Sequence, residues 1–511
     1  MLLPHPAPRF RPGLPALVLA LGLLAASCRP AAALIRRPVP APPPLTAQQP
    51  VLWVGLGAHL GQGELRLEGA GAPLVLVDAR GLRQAGRVLQ LRWRPVPLSR
   101  PLLLERQVLG PYPSYESAEQ AARRWAGSAE DLVIAHPGDW EVWAAPGLAP
   151  PAGQRPRLQR LEVREQLTPE LRTASGWTRL EGPLRISAPA GLRWNGGTYA
   201  GPFRLQADAH GGWSLVEQVP LERYLEGVLP HEIGAGAPAA ALAAQAVLAR
   251  TWALSNQQRF LADGYHLCAD TQCQVYGDPR QAGTAVRRAI AATRGRVLSW
   301  QQRPIHAVYH ASNGGVAGGY DEAWAGPPLA YLRAAVDAPP ALVSAQPLPL
   351  ATDAAVGRLL RQGGQAYGAD HPLFRWSRRL DSRQVEAALA AAGLRLGSLR
   401  QMQVLERGRS GRVVRLELRG SGGAAVLARD AIRRTLRSLP STLFVLTPTG
   451  AGRWQVEGGG FGHGAGLSQA GAIDLASRGW SLERILSHYY PGTSLLGLEA
   501  LVAPASAQIH P

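Results

Sequence analysis

Glycine breaks recur so closely in the first half of this chain that only short extended segments fit between them. "VLWVGLG" from residue 51, then "LVLVDARG" and "RVLQLRWRPV", alternate apolar and polar positions between the breaks, as half-buried strands do. The pattern returns over 180–225 in "LRISAPAGLRWNGGTYAGPFRLQADAHGGWSLVEQVPLERYLEGVL", where Asn-Gly predicts a hairpin turn and the last residues a short helix. An all-helical fold is excluded, and the expected class is α+β.

One stretch has the opposite character. In "HEIGAGAPAAALAAQAVLARTWAL" (231–254), alanines of high helical propensity follow Pro238, which suits a first helical turn. Small side chains let such a helix lie close to a neighbour, and Gln245, Ala249 and Trp252 share one face. Glu232 stands alone before it. It reads either as a carboxylate stabilised by a helix N-terminus or as an acid kept protonated by an apolar wall of Leu229, Ile233 and the alanines.

A chain of 511 residues is too long for one ordinary core. The Pro-rich "RRPVPAPPPLTAQQP" reads as a linker over 34–50 that stands off from the body. A β-rich unit is expected over 51–175 and a larger domain over 180–500, with a peripheral segment at about 337–400. Within the first unit, "VLGPYPSYESAEQAARRWAG" (108–127) reads as strand, turn and helix, and is loosely similar to the glycan-binding SPOR repeat. Between 401 and 419, "GRSG" predicts another hairpin turn.

Arg9 and Arg11 precede "GLPALVLALGLLAAS", too short for a comfortable span and followed by small residues, the pattern of a secretory signal over 1–33. Cleavage by ordinary signal peptidase after "AAA" predicts a periplasmic or cell-envelope product. Processing at Cys28 in "LAASC" would add a lipid tether. The formal charge of +18, carried by arginine without a single lysine, suits an anionic polymer such as cell wall, although a GC-rich genome would itself favour arginine. No nucleic-acid-binding motif accompanies it. In an oxidising compartment Cys268 and Cys273 read as a local disulfide, or with His266 and perhaps His310 as a zinc site.

Two polar knots stand out. "GGGFGHGAGLSQAGA" (458–472) sets glycines around His463, so that the backbone can approach something closely, and opens a helix at Ser468 and Gln469. It lacks the spacing and lysine of a phosphate loop. "YHASNGG" (309–315) offers His310, Ser312 and Asn313 at a strand end. Neither a G-x-S-x-G elbow nor H-E-x-x-H is present, which removes the signatures of a serine hydrolase and a zinc peptidase.

Taken in order, "VPLERYLEGVLPHEIGAGAPAAALAAQAVLARTWAL", "DTQCQVYGD", "VYHASNGGVAGGYDEAWAGPPLAYL", "LPSTLFV" and "GGGFGHGAGLSQAGAIDLASRGWSLERILSHYYPGT" resemble the stage II sporulation protein D/LytB (SpoIID) family over roughly 180–497. The resemblance implies a lytic transglycosylase that cuts peptide-free glycan strands between N-acetylmuramic acid and N-acetylglucosamine, leaving 1,6-anhydromuramic ends. It implies Glu232 as the catalytic acid. Gln245, Arg250, Gln274, Tyr276, Ser312, Asn313, His463 and Gln469 are carried over as groove residues that bind and orient substrate. Trp324 and "HYY" (488–490) are read as sugar-stacking or core aromatics. No cofactor is required, although zinc in some relatives keeps His266, Cys268 and Cys273 as an alternative site. The implied partners are glycan strands and an amidase that removes stem peptides. "EIGAGAP" replaces the family's frequent "EMP", and "NGGVAGG" its usual Gly-rich turn. The alternative from another class is a wall-binding or amidase-modulating protein without turnover.

Overall fold

The computed structural model describes residues 34–46, 50–125 and 132–501, so the expected signal segment and Cys28 lie outside the described residues. Strands Leu74–Val77 and Leu184–Ser187 bury every second residue, and Leu74, Leu76, Leu184 and Ile186 enter one core, as a two-residue period requires. Both belong to a seven-stranded sheet ordered Leu267–Cys268, Val51–Leu60, Trp213–Pro220, Phe203–Ala207, Leu184–Ser187, Leu74–Val77, Arg83–Gly86. An eight-stranded sheet built on the long strands Val88–Tyr112 and Arg157–Thr173 sends Leu65, Leu67, Leu89 and Leu91 into the same core. Asn195 (φ 44°) and Gly196 (φ 78°) turn the chain between Leu192–Trp194 and Gly197–Tyr199, the left-handed pair that a two-residue hairpin needs.

The expected break near 175–180 is absent in space. Val51–Leu60 lies between strands from the later segment, pairing Val54 with Glu217 on one edge and with Leu267 on the other. The core that begins at Leu52 runs on to Tyr490. Nor does the Pro-rich ribbon 34–46 stand off from the body. Val39 and Pro42 are buried, Leu34 exchanges backbone hydrogen bonds with Leu103 and Glu105, and the Pro43 carbonyl accepts from His266 Nε2. Proline already restricts the backbone, so laying such a ribbon down costs little further entropy.

The alanine stretch forms helix Ala239–Ser255. Ala241, Ala244, Ala246, Ala249 and Ala253 have no exposed surface, and helices Leu221–Glu232, Thr284–Ala292, Gln469–Ser477 and Leu482–Tyr489 pack around it. A helix apolar on all sides is a core helix, and here methyl side chains admit four close neighbours.

The segment at 337–400 is peripheral only in part. Helix Pro340–Ala345 buries nothing, but Asp337 is buried and hydrogen-bonded, and from Trp376 the chain enters a second core. Strand Trp376–Asp381 pairs with Arg453–Gly458, which pairs with Phe444–Gly450. Leu399–Arg407, Val413–Gly420 and Gly423–Ala428 make a further sheet, turning at Gly408–Gly411 as the sequence predicts. Trp376, Leu380, Val385, Leu416, Phe444 and Trp454 close this second core. Among the described residues no helix is long and apolar enough to cross a membrane.

Candidate functional site

Glu232 is the last residue of helix Leu221–Glu232, not the first of the alanine helix. The "IGAGAP" spacer makes the corner between the two. Ile233 ends the first helix, Gly234 takes φ 85° and reverses the chain, and Pro238 leads into the second. The reading of Glu232 as a carboxylate favoured by a helix N-terminus is therefore overturned. At a C-terminus the unpaired carbonyls oppose its negative charge.

The Glu232 carboxyl is half-buried in the wall of a groove of about 410 Å³. Burial raises its pKa above the usual carboxylate value. The Val275 N–H, donating to Oε1 at 2.8 Å, and the Gln469 amide oppose that shift without cancelling it. Gln469 Nε2 also donates to Gln245 Oε1 at 3.4 Å, so one amide ties the acid to the alanine helix. Trp252, Tyr309, Trp324 and His463 form apolar and aromatic wall around the acid's outlook.

Tyr309 is held through Gln274, which accepts from Tyr224 Oη at 3.1 Å and donates to Tyr309 Oη at 3.0 Å. Since the Tyr309 oxygen accepts this bond, its own proton is left for a partner in the groove. His463 accepts the Ala465 N–H on Nδ1, so Nε2 carries the hydrogen donated to the Tyr309 carbonyl at 2.9 Å. Burial, with the Arg433 guanidinium, pushes this imidazole down to about 3, which keeps it neutral. It buttresses Tyr309 and meets Trp324 with ring centroids 4.7 Å apart.

Glu232 is not the only acid in the groove. Glu116, Glu322 and Asp430 line it too. Burial would raise Glu116, but its ion pair with Arg259 holds it below the usual range. Burial raises Glu322, which accepts from Ser410. Burial also brings Asp430 up to about 6 while the Ser114 and Ser117 hydroxyls donate to it at 2.5 and 3.0 Å. Each of these three is engaged in a tertiary contact.

Residues 209–300 match the family model described as stage II sporulation protein, and residues 318–466 one described as a domain of unknown function. The chain is 26% identical to the amidase enhancer of Bacillus subtilis over 302 residues, 53% of this chain and 40% of that protein. It is 27% identical to stage II sporulation protein D of Bacillus amyloliquefaciens over 57% of this chain and 79% of that protein. The Bacillus subtilis stage II sporulation protein D is 26% identical, covering 56% and 77%. Residues 209–300 carry a SpoIID-family domain. The match thus spans about two fifths of the amidase enhancer and over three quarters of each sporulation protein.

Within the SpoIID match lie Glu232, Gln245 and Gln274, while Trp324 and His463 fall in the second match, so the groove is walled by both. Gln245 and Gln469 are buried and do not line the groove, and four further expected groove residues lie elsewhere. Arg250 has no exposed surface and forks onto Glu222 at 2.7 and 2.8 Å. Tyr276 donates to Glu217 at 2.8 Å and lines a different cavity, of about 560 Å³. Asn313 donates to Asp337 at 2.6 Å and, on its oxygen, receives the Gly315 N–H. Ser312 pairs its backbone with Phe461.

The glycines around His463 serve this same crossing. A Cβ on Gly460 would lie 2.6 Å from the Ser312 carbonyl oxygen, and one on Gly464 2.1 Å from Arg412 Cζ. What the backbone approaches is thus protein, while Ser468 caps its own helix by accepting the Gly471 N–H. His488 and Tyr489 hold Asp337, and Tyr490 donates to the Val308 carbonyl, so the "HYY" run is core.

The zinc alternative does not fit. Cys268 and Cys273 form a disulfide. His266 accepts from the Trp53 N–H on Nδ1 and donates from Nε2 to Pro43, with burial pushing its pKa down to about 4, so no ring nitrogen is left for a metal. His310 donates from Nδ1 to the Ala465 carbonyl, away from the cysteines. Among the described residues no group of three His, Cys, Asp or Glu side chains could hold a metal ion.

The wall residues Tyr115 and Glu116 come from helix Tyr115–Arg124, far from the family blocks, and were not foreseen. Only Ser114, a helix-capping residue before an acid, gave a local signal there. Tyr309 and Trp252 lay inside quoted blocks, Trp252 on the Gln245 face, but neither carried a site role in the sequence reading. Gln469→Leu should raise the Glu232 pKa by removing a donor to its charged form. The Glu232 carboxyl should then titrate at higher pH than in wild type, which NMR titration of the labelled carboxyl measures.

Proposed function

We infer that the chain has a cell-wall-related role, which its match to the SpoIID model and its likeness to an amidase enhancer support. We propose that it is a lytic transglycosylase that cleaves peptide-free peptidoglycan strands. The observation that carries this reading is a carboxyl whose pKa burial raises, fixed by Val275 and Gln469, and opening onto a groove walled by Trp252, Tyr309 and Trp324.

Glu232 donates its proton to the oxygen linking muramic acid to the next glucosamine, and the C1–O bond breaks. The C6 hydroxyl of the same muramic acid then attacks C1 and gives its proton to the Glu232 carboxylate. A 1,6-anhydro ring closes, no water is consumed, and the acid returns to its starting state. A second carboxylate, needed by hydrolytic glycosidases to activate water or attack the sugar, has no task here. Tyr309→Phe, which removes one hydroxyl donor while keeping the ring, should lower kcat roughly tenfold with little change in KM, the worth of one hydrogen bond to charge.

Mass spectrometry of peptide-free strands after incubation with wild type and Glu232→Gln tests the proposal. Anhydromuramic ends from wild type alone support it; unchanged strands with both proteins favour the second reading, a wall-binding protein that modulates an amidase. That second reading rests on the amidase-enhancer likeness. Either activity requires export, for which the N-terminal Arg-flanked apolar stretch is the support, with Cys28 as a membrane tether if it is lipidated.

A further inference from the structure

Beyond the acid, the groove continues. Arg433 and Arg434 line both it and an adjoining hollow of about 440 Å³, whose wall also holds Arg378, Arg437 and Phe461. All these residues lie outside the 209–300 SpoIID match. The charge there is nearly unrelieved. Arg434 reaches Asp139 only at 3.8 Å, Arg437 donates to the Arg434 carbonyl and Arg378 to the Ser377 carbonyl. The Arg433 Nε is buried without a hydrogen-bond partner among the described residues, with Asp430 acting on it as an opposing charge. Gathering four guanidiniums costs self-repulsion unless an anion is drawn in.

Phe461 is 42% exposed although it sits in a glycine-rich loop that closely contacts other parts of the protein. Its backbone exchanges hydrogen bonds with Ser312 at 2.7 and 3.1 Å, so the ring is held outward by a fixed backbone. An exposed aromatic ring among arginines offers an apolar face and carboxylate-binding forks side by side.

We propose that this hollow is a subsite for the lactyl carboxylates of the glycan strand, with a sugar face lying on Phe461 and a carboxylate taken by Arg378 and Arg437. The inference rests on the glycan reading of the groove and names what would select a muramic strand over neutral chitin-like sugar. Removal of stem peptides uncovers these carboxylates, so the subsite would also reward strands that an amidase has already processed.

Binding by the full chain tests it, using peptide-free strands, the same strands with lactyl carboxyls reduced to alcohols, and a DNA oligonucleotide as a phosphate polymer. Wild type should bind native strands at least about tenfold more tightly than reduced ones at low salt, the worth of one charge-assisted contact. The double variant Arg378→Gln/Arg437→Gln should lose that preference, and Phe461→Ala should weaken both strands alike. Equal affinity of wild type for native and reduced strands, a preference kept by the double variant, or tighter binding of DNA than of native strands would overturn the proposal. If anhydro ends still form from reduced strands while binding ignores the carboxylates, the subsite fails and the transglycosylase reading stands. If strands bind with the preference but are never cut, the reverse holds.

Discussion

Glu232→Gln should remove turnover on peptide-free glycan and at the same time make the protein more stable at neutral pH. Loss of a positioned proton donor costs roughly 10²–10⁴-fold in rate. The stability gain follows from the raised pKa of the buried carboxyl. A folded-state pKa above the unfolded one means that the native state favours the protonated form. The cost of the charge is therefore absent below the unfolded value of 4.5 and grows as pH rises through the folded value. Glutamine keeps an oxygen for the Val275 N–H and carries no charge, so the variant should be more stable at pH 7–8. The advantage should vanish below about pH 4.5. Denaturant melts of both proteins across that range check this, and a variant less stable than wild type at pH 8 would contradict it.

The acid at the other end of the same helix should behave in the opposite way. Glu222 lies in the first turn, where a negative charge is favoured, and takes both arms of Arg250, whose side chain is wholly buried. Glu222→Ala leaves that guanidinium with carbonyl partners from Ala246 and Arg296 but without a counter-charge. Breaking a buried pair on one side costs about 3–5 kcal/mol. Since neither residue lines the groove, cleavage per folded molecule should stay at the wild-type level. Urea melts read the first effect and specific activity at low temperature the second. Together they separate the structural arginine from the site to which the family resemblance had assigned it.

Local features carried the strands, the Asn-Gly and "GRSG" turns, the alanine helix and the SpoIID recognition. Each depends on residues close in sequence, such as the two-residue alternation in Leu184–Ser187 or the left-handed Asn195-Gly196. The rest depended on pairings that no local period encodes. Val51–Leu60 is completed by strands more than 150 residues later, and Trp376–Asp381 by Arg453–Gly458, which turned an expected domain boundary and a peripheral segment into core. Site residues divided in the same way. Glu232, Gln274 and His463 reach the groove. Ser312 and Asn313 stand in an equally polar motif but lock the Gly-rich crossing. A polar side chain in a tight turn looks the same in sequence whether it faces ligand or backbone. Glu116 and Asp430 were invisible because only the tertiary fold brings them to the groove.

The central claim, that the strand's own hydroxyl and not water closes the reaction, is tested most directly by cleavage in ¹⁸O-labelled water. The account predicts anhydromuramic products that carry no label with wild type, and no products with Glu232→Gln. Reducing muramic ends bearing one ¹⁸O would show that water is the nucleophile, and would contradict it.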